Sequence, residues 1–184
     1  MEAKLIHESG VMVFTPNVFR DNRGTFIEGH RVSEIAPFTK FPKGFVQSCV
    51  SRSAPFVLRG LHYQLRKGQE FGQGKLIRCV AGRAYQVSVD MREGSKTFGQ
   101  WVNHLLDEKT LDAVWVPPGF ANGFLAMEQG AVMQYEMTEY HDPALERQLF
   151  WGCGLVGIRW PGGGKHVSQK DKDAPRLDTA ERWK

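Results

Sequence analysis

The segment Val57-Leu58-Arg59-Gly60-Leu61-His62-Tyr63-Gln64 gathers the residue types that proton-transfer chemistry needs. Histidine is the side chain whose ordinary titration lies nearest neutral pH, which makes His62 a candidate general base. Arg59 lies three residues before it. The segment reads as a strand, and strict alternation sets Arg59 and His62 on opposite faces. Gly60 lies between them, where a bulge can re-aim one of the two. Taken alone, a histidine in a strand is a weak signal.

Metal chemistry is a second possibility, because small β-barrels often hold an ion through a His-x-His pair. Here the sequence runs Gly60-Leu61-His62, so the first histidine of such a pair is missing. His7, His30, His104, His141 and His166 show no ligand spacing either. Zinc and iron sites gather three or more such ligands, so no metal is expected. The three cysteines, Cys49, Cys79 and Cys153, are far apart and odd in number, which predicts reduced thiols without a disulfide framework.

The elements that must position these residues are short β-like runs punctuated by glycine, proline and asparagine. They cover Val11–Phe14, Gly24–Glu28, Phe45–Val50, Val57–Gln64, Lys75–Val80, Ala84–Asp90, Val114–Val116, Gly123–Met127 and Val132–Thr138. Such a series predicts a sandwich or barrel rather than a parallel sheet with crossover helices. Val32–Thr39 reads as a short helix, Pro143–Arg147 as a turn of one, and Leu105–Leu111 as a loop. Alternation in Ala84–Asp90 puts Tyr85, Val87 and Val89 on one face and Gln86, Ser88 and Asp90 on the other. That polar face suits either solvent or a polar cavity at a barrel mouth. The Gly162-Gly163-Gly164 run reads as a flexible connection, and the tail beyond Asp171 is polar.

With 184 residues, the chain suits a single domain spanning 1–184. Its 41% hydrophobic and 24% charged residues are ordinary for a soluble globular protein. No run approaches the roughly 18 apolar residues of a membrane span. Met1-Glu2-Ala3-Lys4 lacks the apolar centre of a signal peptide, so a cytoplasmic location is expected. The net charge of +4 suits a small anionic substrate, and ordinary surface lysines explain it equally well. Nucleic-acid binding would need a concentrated basic stripe. The densest, Lys165 to Lys172, is broken by Asp171 and continues into Asp173.

Several motifs in order resemble the dTDP-4-dehydrorhamnose 3,5-epimerase family. They are Arg23-Gly24-x-Phe26-x-Glu28, Leu58-Arg59-Gly60-Leu61-His62-Tyr63-Gln64, Lys75-Leu76-Ile77 and Thr97-Phe98-Gly99-x-Trp101. Pro117-Pro118-Gly119-Phe120-Ala121-Asn122-Gly123-Phe124, Tyr135-x-x-Thr138-x-Tyr140, Trp160-Pro161 and Ser168-x-Lys170-Asp171 follow. The resemblance implies an all-β double-stranded β-helix, a jelly-roll or cupin-like barrel, with a few short peripheral helices. It also implies a homodimer that needs no cofactor and acts on a nucleoside-diphosphate 4-keto-6-deoxyhexose, dTDP-linked in this family. The C4 ketone acidifies the hydrogens at C3 and C5, and removal and return of a proton on opposite faces inverts a centre.

The family pattern assigns His62 as base, Asp171 as the carboxylate that orients it, and Tyr135 as the acid on the opposite face. Lys75 matches the cation near the developing enolate oxygen. Arg23, Arg59 and Lys170 match pyrophosphate partners; Glu28, Gln47 and Glu146 match sugar- or nucleotide-contacting positions. Phe26 and Tyr140 match aromatics at the nucleotide end. Without the resemblance, Asp171 reads as a solvated tail aspartate and Tyr135 as a core or rim aromatic.

Three positions depart from the pattern. Cys49 stands where asparagine is usual, Gln86 where aspartate is usual, and Asn122 where histidine is usual. Cys49 and Asn122 fall in substrate-contacting stretches, and Gln86 is expected to cost the pocket a carboxylate. A pocket that cannot pair a buried hydroxyl discriminates against the sugar carrying it. The expectation is therefore a related sugar of a specialised deoxysugar pathway, or epimerisation of one carbon only. Drift within an ordinary 3,5-epimerase is another reading, and a sugar 3,4-ketoisomerase and a non-enzymatic sugar-binding barrel are the alternatives.

Overall fold

The computed structural model describes residues 1–41, 44–66, 71–162 and 166–184. Gly163, Gly164 and Lys165, part of the expected flexible connection and basic stretch, lie outside the described residues. The elements are β1 (Glu2–Leu5), β2 (Met12–Thr15), β3 (Val18–Asp21), β4 (Gly24–Ile27), α1 (Val32–Thr39), β5 (Gln47–Ser53) and β6 (Val57–Gln64). They continue with β7 (Lys75–Asp90), β8 (Trp101–Asp107), β9 (Ala113–Val116), β10 (Phe120–Met137), β11 (Glu146–Gln148), β12 (His166–Val167) and α2 (Gln169–Lys172). The fold is mainly β, as the punctuated pattern predicts.

Ten strands form one sheet in the order β1-β2-β9-β7-β10-β6-β11, with β5 on β10, β8 on β7 and β12 on β6. The β3–β4 hairpin stands apart as its own two-stranded sheet. Two pairs of expected short strands are continuous: β7 joins Lys75–Val80 to Ala84–Asp90, and β10 joins Gly123–Met127 to Val132–Thr138. The two long strands pair from Phe120 opposite Asp90 to Met137 opposite Lys75, with the register breaking between Ala126 and Ala131.

Glycines make this corner possible. Gly82 (φ +75°) and Gly130 (φ +77°) occupy the left-handed region. A Cβ on Gly82 would sit 2.2 Å from the Gly130 carbonyl oxygen. Residues from both sides of the corner then pack together: Ile77, Cys79, Val114 and Met133 meet Ala84, Leu106, Phe120 and Phe124. The sheet is thus doubled over, and its inner faces enclose the core.

The outer face of the β6 side, with Leu61, Tyr63, Val87 and Val89, is covered by Leu149, Cys153, Val156 and Ala180. The polar-looking tail is therefore a cover: Leu177 and Trp183 pack on this cluster, and Trp183 bridges to Arg92. On the β5 side, Met12, Phe14, Leu76 and Trp115 pack against Ile35 of α1.

The expected division of Ala84–Asp90 into two faces holds, but the polar face meets no solvent: Gln86, Ser88 and Asp90 are 1%, 0% and 0% exposed. Leu105–Leu111 is not wholly a loop, because Leu105–Asp107 ends β8 and pairs with Arg83–Tyr85. Leu106 is buried, which a loop reading does not explain. Around Pro143, the carbonyl of Asp142 accepts from the N–H groups of Leu145 and Glu146. That single turn leads into β11 rather than reaching Arg147, because Glu146–Gln148 pairs with His62–Gln64.

Candidate active site

A cavity of about 360 Å³ opens between the two halves of the sheet. Arg59 and His62 from β6, Lys75 from β7, Asn122 and Tyr135 from β10, and Lys170 and Asp171 from α2 line it. Seven residues singled out in the sequence thus converge from four elements.

The bulge expected at Gly60 is what lets Arg59 and His62 share this cavity. Opposite β10, His62 pairs with Asn122 and Arg59 with Phe124, so three steps on β6 face two on β10. Gly60 has φ +121°, and a Cβ there would lie 2.7 Å from Gly123 Cα. Only a glycine pair permits that approach of the two backbones. The Gly60–Leu61 peptide bond is cis.

His62 Nε2 lies 2.7 Å from Asp171 Oδ1. Asp171 is only 4% exposed, far from the solvated tail position its sequence context suggests. Burial works against its charge, but the hydrogen bond to His62, the nearby imidazole and the Gly60 N–H hold its carboxyl below the usual carboxylate range. Gln148 Nε2 donates to Asp171 Oδ1 at 3.4 Å. Ser168 caps α2 by accepting from the Asp171 N–H at 3.2 Å. Because an ionised carboxylate only accepts, the proton between the pair belongs to Nε2, which in the neutral imidazole puts the lone pair on Nδ1.

Tyr135 lies on the other half of the sheet. Burial pushes its phenol up to about 12, so it is protonated at neutral pH. Its hydroxyl is 3.2 Å from Ser51 Oγ on β5. Lys75 Nζ donates to Asn122 Oδ1 at 3.0 Å, and burial lowers its ammonium to about 8. Arg59 is braced by Ser53 Oγ at 2.9 Å. Lys170 donates to Glu146 Oε2 at 2.7 Å. Burial opposes the charge of Glu146, yet Lys170, His62 and His141 keep its carboxyl below the usual range.

The remaining candidates stand around or away from the cavity. Cys49 pairs in register with Tyr135 on the exposed strand β5. Gln47 donates to Cys49 Sγ at 3.4 Å and accepts from the His141 N–H at 2.7 Å. Tyr140 is 69% exposed and lines a separate hollow with Gln64 and His141. Arg23 and Phe26 are on the detached hairpin, where Arg23 pairs with Asp21 at 2.5 Å; Glu28 follows it and holds Arg31. None of these three lines the His62 cavity.

Gln86 corrects one expectation: it takes no part in the cavity lining. Its amide donates inside the core to the Val87 carbonyl at 3.1 Å and to Ser88 Oγ at 2.8 Å. The sequence reading quoted Ser168 within a motif but gave it no role, and gave none to His166 or Gln148. His166 and Ser168 line the cavity, and Gln148 reaches Asp171. For Ser168 a signal existed, since Ser-x-x-Asp before a short polar run is a helix-start pattern. Among the described residues, no three His, Cys, Asp or Glu side chains converge as a metal-ligand set.

A histidine held by a carboxylate, a protonated phenol and a lysine lining one cavity are groups that can move a proton off one face of a carbon acid and onto the other. Comparisons with known proteins identify the family. The family profile described as dTDP-4-dehydrorhamnose 3,5-epimerase matches residues 6–179. The dTDP-4-dehydrorhamnose 3,5-epimerase of Salmonella typhimurium is 39% identical over 171 residues, 92% of each chain. Among solved structures, dTDP-6-deoxy-D-glucose-3,5-epimerase from Legionella pneumophila, in complex with dTDP-4-keto-L-rhamnose, superposes with a TM-score of 0.91 at 33% identity. It covers 100% of this chain and 98% of its own. A 3'-monoepimerase from Streptomyces bikiniensis, in complex with dTDP-quinovose, gives 0.88 at 30% identity, covering 97% and 88%.

Proposed function

The chain belongs to the dTDP-4-dehydrorhamnose 3,5-epimerase family, and from that premise we propose that it epimerises C3, C5 or both in a dTDP-linked 4-keto-6-deoxyhexose. The observation that carries this reading is the His62–Asp171 pair facing Tyr135 and Lys75 across one cavity. His62 Nδ1 takes the proton beside the ketone, and Asp171 steadies the imidazolium that forms. Lys75 meets the oxygen on which the enolate charge collects. Tyr135 returns a proton to the opposite face. The proton balance needs no redox cofactor, because nothing is oxidised.

Arg59 and Lys170 take the pyrophosphate, with Glu146 holding Lys170 until it arrives. Gln47 and Cys49 on β5, beside Tyr135, take the sugar, and Tyr140 in the neighbouring hollow takes the nucleotide. Arg23, Phe26 and Glu28 fit the same substrate only through a second copy, because their hairpin stands off the cavity of its own chain. A homodimer supplies that copy. The outer face around Val50 and Val80, 67% and 39% exposed, offers a surface for it. The doubled sheet is read as a single cupin-like double-stranded β-helix spanning 1–184, working in the cytoplasm.

The altered residues Cys49 and Asn122 favour a second reading, in which a modified sugar is the substrate or only one carbon is inverted. Incubation with dTDP-4-keto-6-deoxyglucose in deuterated water decides between them. Label at C3 and C5 supports the full epimerase, and label at C3 alone the mono-epimerase. Carbonyl migration indicates a ketoisomerase. With His62→Ala all exchange is lost; retained exchange overturns the base assignment.

A further inference from the structure

Lys75 and Asn122 reach each other from opposite sides of the sheet's corner. Lys75 begins β7, while Asn122 sits near the start of β10, opposite His62 in register. The contact at 3.0 Å is the ammonium's one hydrogen bond among the described residues. Asn122 is 7% exposed, so its oxygen is largely withdrawn from water and held by the strand. An amide oxygen accepts without carrying charge. It aims the ammonium but does not neutralise it, as a carboxylate in that place would.

We propose that Asn122 is a positioning residue that acts through Lys75, fixing the ammonium on the His62 side of the cavity while leaving its charge for the substrate's ketone oxygen. This differs from direct contact with a sugar hydroxyl, the role implied for this position by family resemblance. The inference rests on the reading of Lys75 as the group that faces the enolate oxygen. Burial lowers the Lys75 ammonium to about 8, and the charges of Glu146 on β11 and Cys49 on β5 act the other way. His62 on β6, Tyr135 on β10, Asp171 on α2 and His166 on β12 are the other titratable groups that share its cavity with it, beside the cations Arg59 and Lys170.

The test is steady-state kinetics against pH for the wild type, Asn122→Ala, Asn122→Asp and Lys75→Met, with dTDP affinity confirming that each variant is folded. Asn122→Ala lowers kcat about ten-fold or more, with KM changed less than about two-fold. Asn122→Asp moves the alkaline limb of kcat/KM upward by about one pH unit, because an adjacent carboxylate favours the charged ammonium. A raised KM at unchanged kcat in Asn122→Ala, or an unmoved limb in Asn122→Asp, overturns the positioning role. Lys75→Met separates the two levels. If it retains wild-type kcat, the reading of Lys75 itself fails. If it loses about a hundred-fold while the Asn122 variants behave as wild type, the positioning role alone fails.

Discussion

His62 and Asp171 stand 109 residues apart in the chain, yet Nε2 and Oδ1 meet at 2.7 Å. The imidazole comes from an inner strand and the carboxylate from a helix of four residues near the C-terminus. The Gly60 N–H donates to the carboxylate, and Ser168 caps the helix that carries it. The geometry fixes which imidazole nitrogen is free.

Asp171→Asn tests that assignment. An amide in this position can donate to Nε2 and stabilise the other tautomer, removing the lone pair from Nδ1. The expected result is a loss of about a hundred-fold or more in kcat, with deuterium exchange falling in parallel. Wild-type exchange in this variant would show that Asp171 does not set the tautomer.

Tyr135→Phe removes a phenol that burial keeps protonated, with its titration pushed up to about 12. The base is untouched, so exchange beside the ketone continues in part while correctly inverted product falls by about a hundred-fold. Nuclear magnetic resonance of product and recovered substrate separates the two. Inverted product at the wild-type rate contradicts the role of Tyr135 as acid.

Cysteine reactivity provides a chemical view of the cavity's edge. Cys49 is exposed, whereas Cys79 and Cys153 are 0% and 1% exposed. Burial also raises the Cys79 thiol to about 11. Iodoacetamide is expected to modify Cys49 at least about ten times faster than either of the others in the folded protein. Bound dTDP should slow that reaction. Peptide mass spectrometry reads both effects, and equal labelling of all three thiols would contradict the placement of β5.

Gly82→Ala is expected to destabilise the fold by about 2 kcal/mol or more, lowering Tm by roughly 5 °C. The new Cβ meets the Gly130 carbonyl oxygen at 2.2 Å, with the backbone at φ +75°. Gly94→Ala shares the same φ of +75° but has no neighbour within 4 Å, so it isolates the cost of the backbone conformation. Equal melting temperatures for the two variants would remove the clash from the account.

Local pattern made some elements legible and concealed others. Val32–Thr39 and Val57–Gln64 have the bounds read from the sequence, because each is bounded by clear breaks. The long strands were hidden by Gly82 and Gly130, which look like chain breaks but are bends within continued pairing. Gln86 shows a different limit. Alternation gives its face correctly, but its place along that face depends on pairing with Phe124, which is a tertiary fact. Arg23, Phe26 and Glu28 matched a motif in one dimension, while the hairpin that carries them stands apart from the cavity. Asp171 reads as a polar tail residue until the 109-residue connection to His62 is closed.

The folded ribbon of β7 and β10 has a geometric effect on the reaction. Asn122 and Tyr135 are on one strand, on either side of its bend, and Lys75 is on the paired strand. The gap that a sugar ring must fill is therefore the gape of a single hinge, shared by the lysine, its amide partner and the phenol. Gly82 and Gly130, remote from the cavity, thereby set how far apart those three side chains stand.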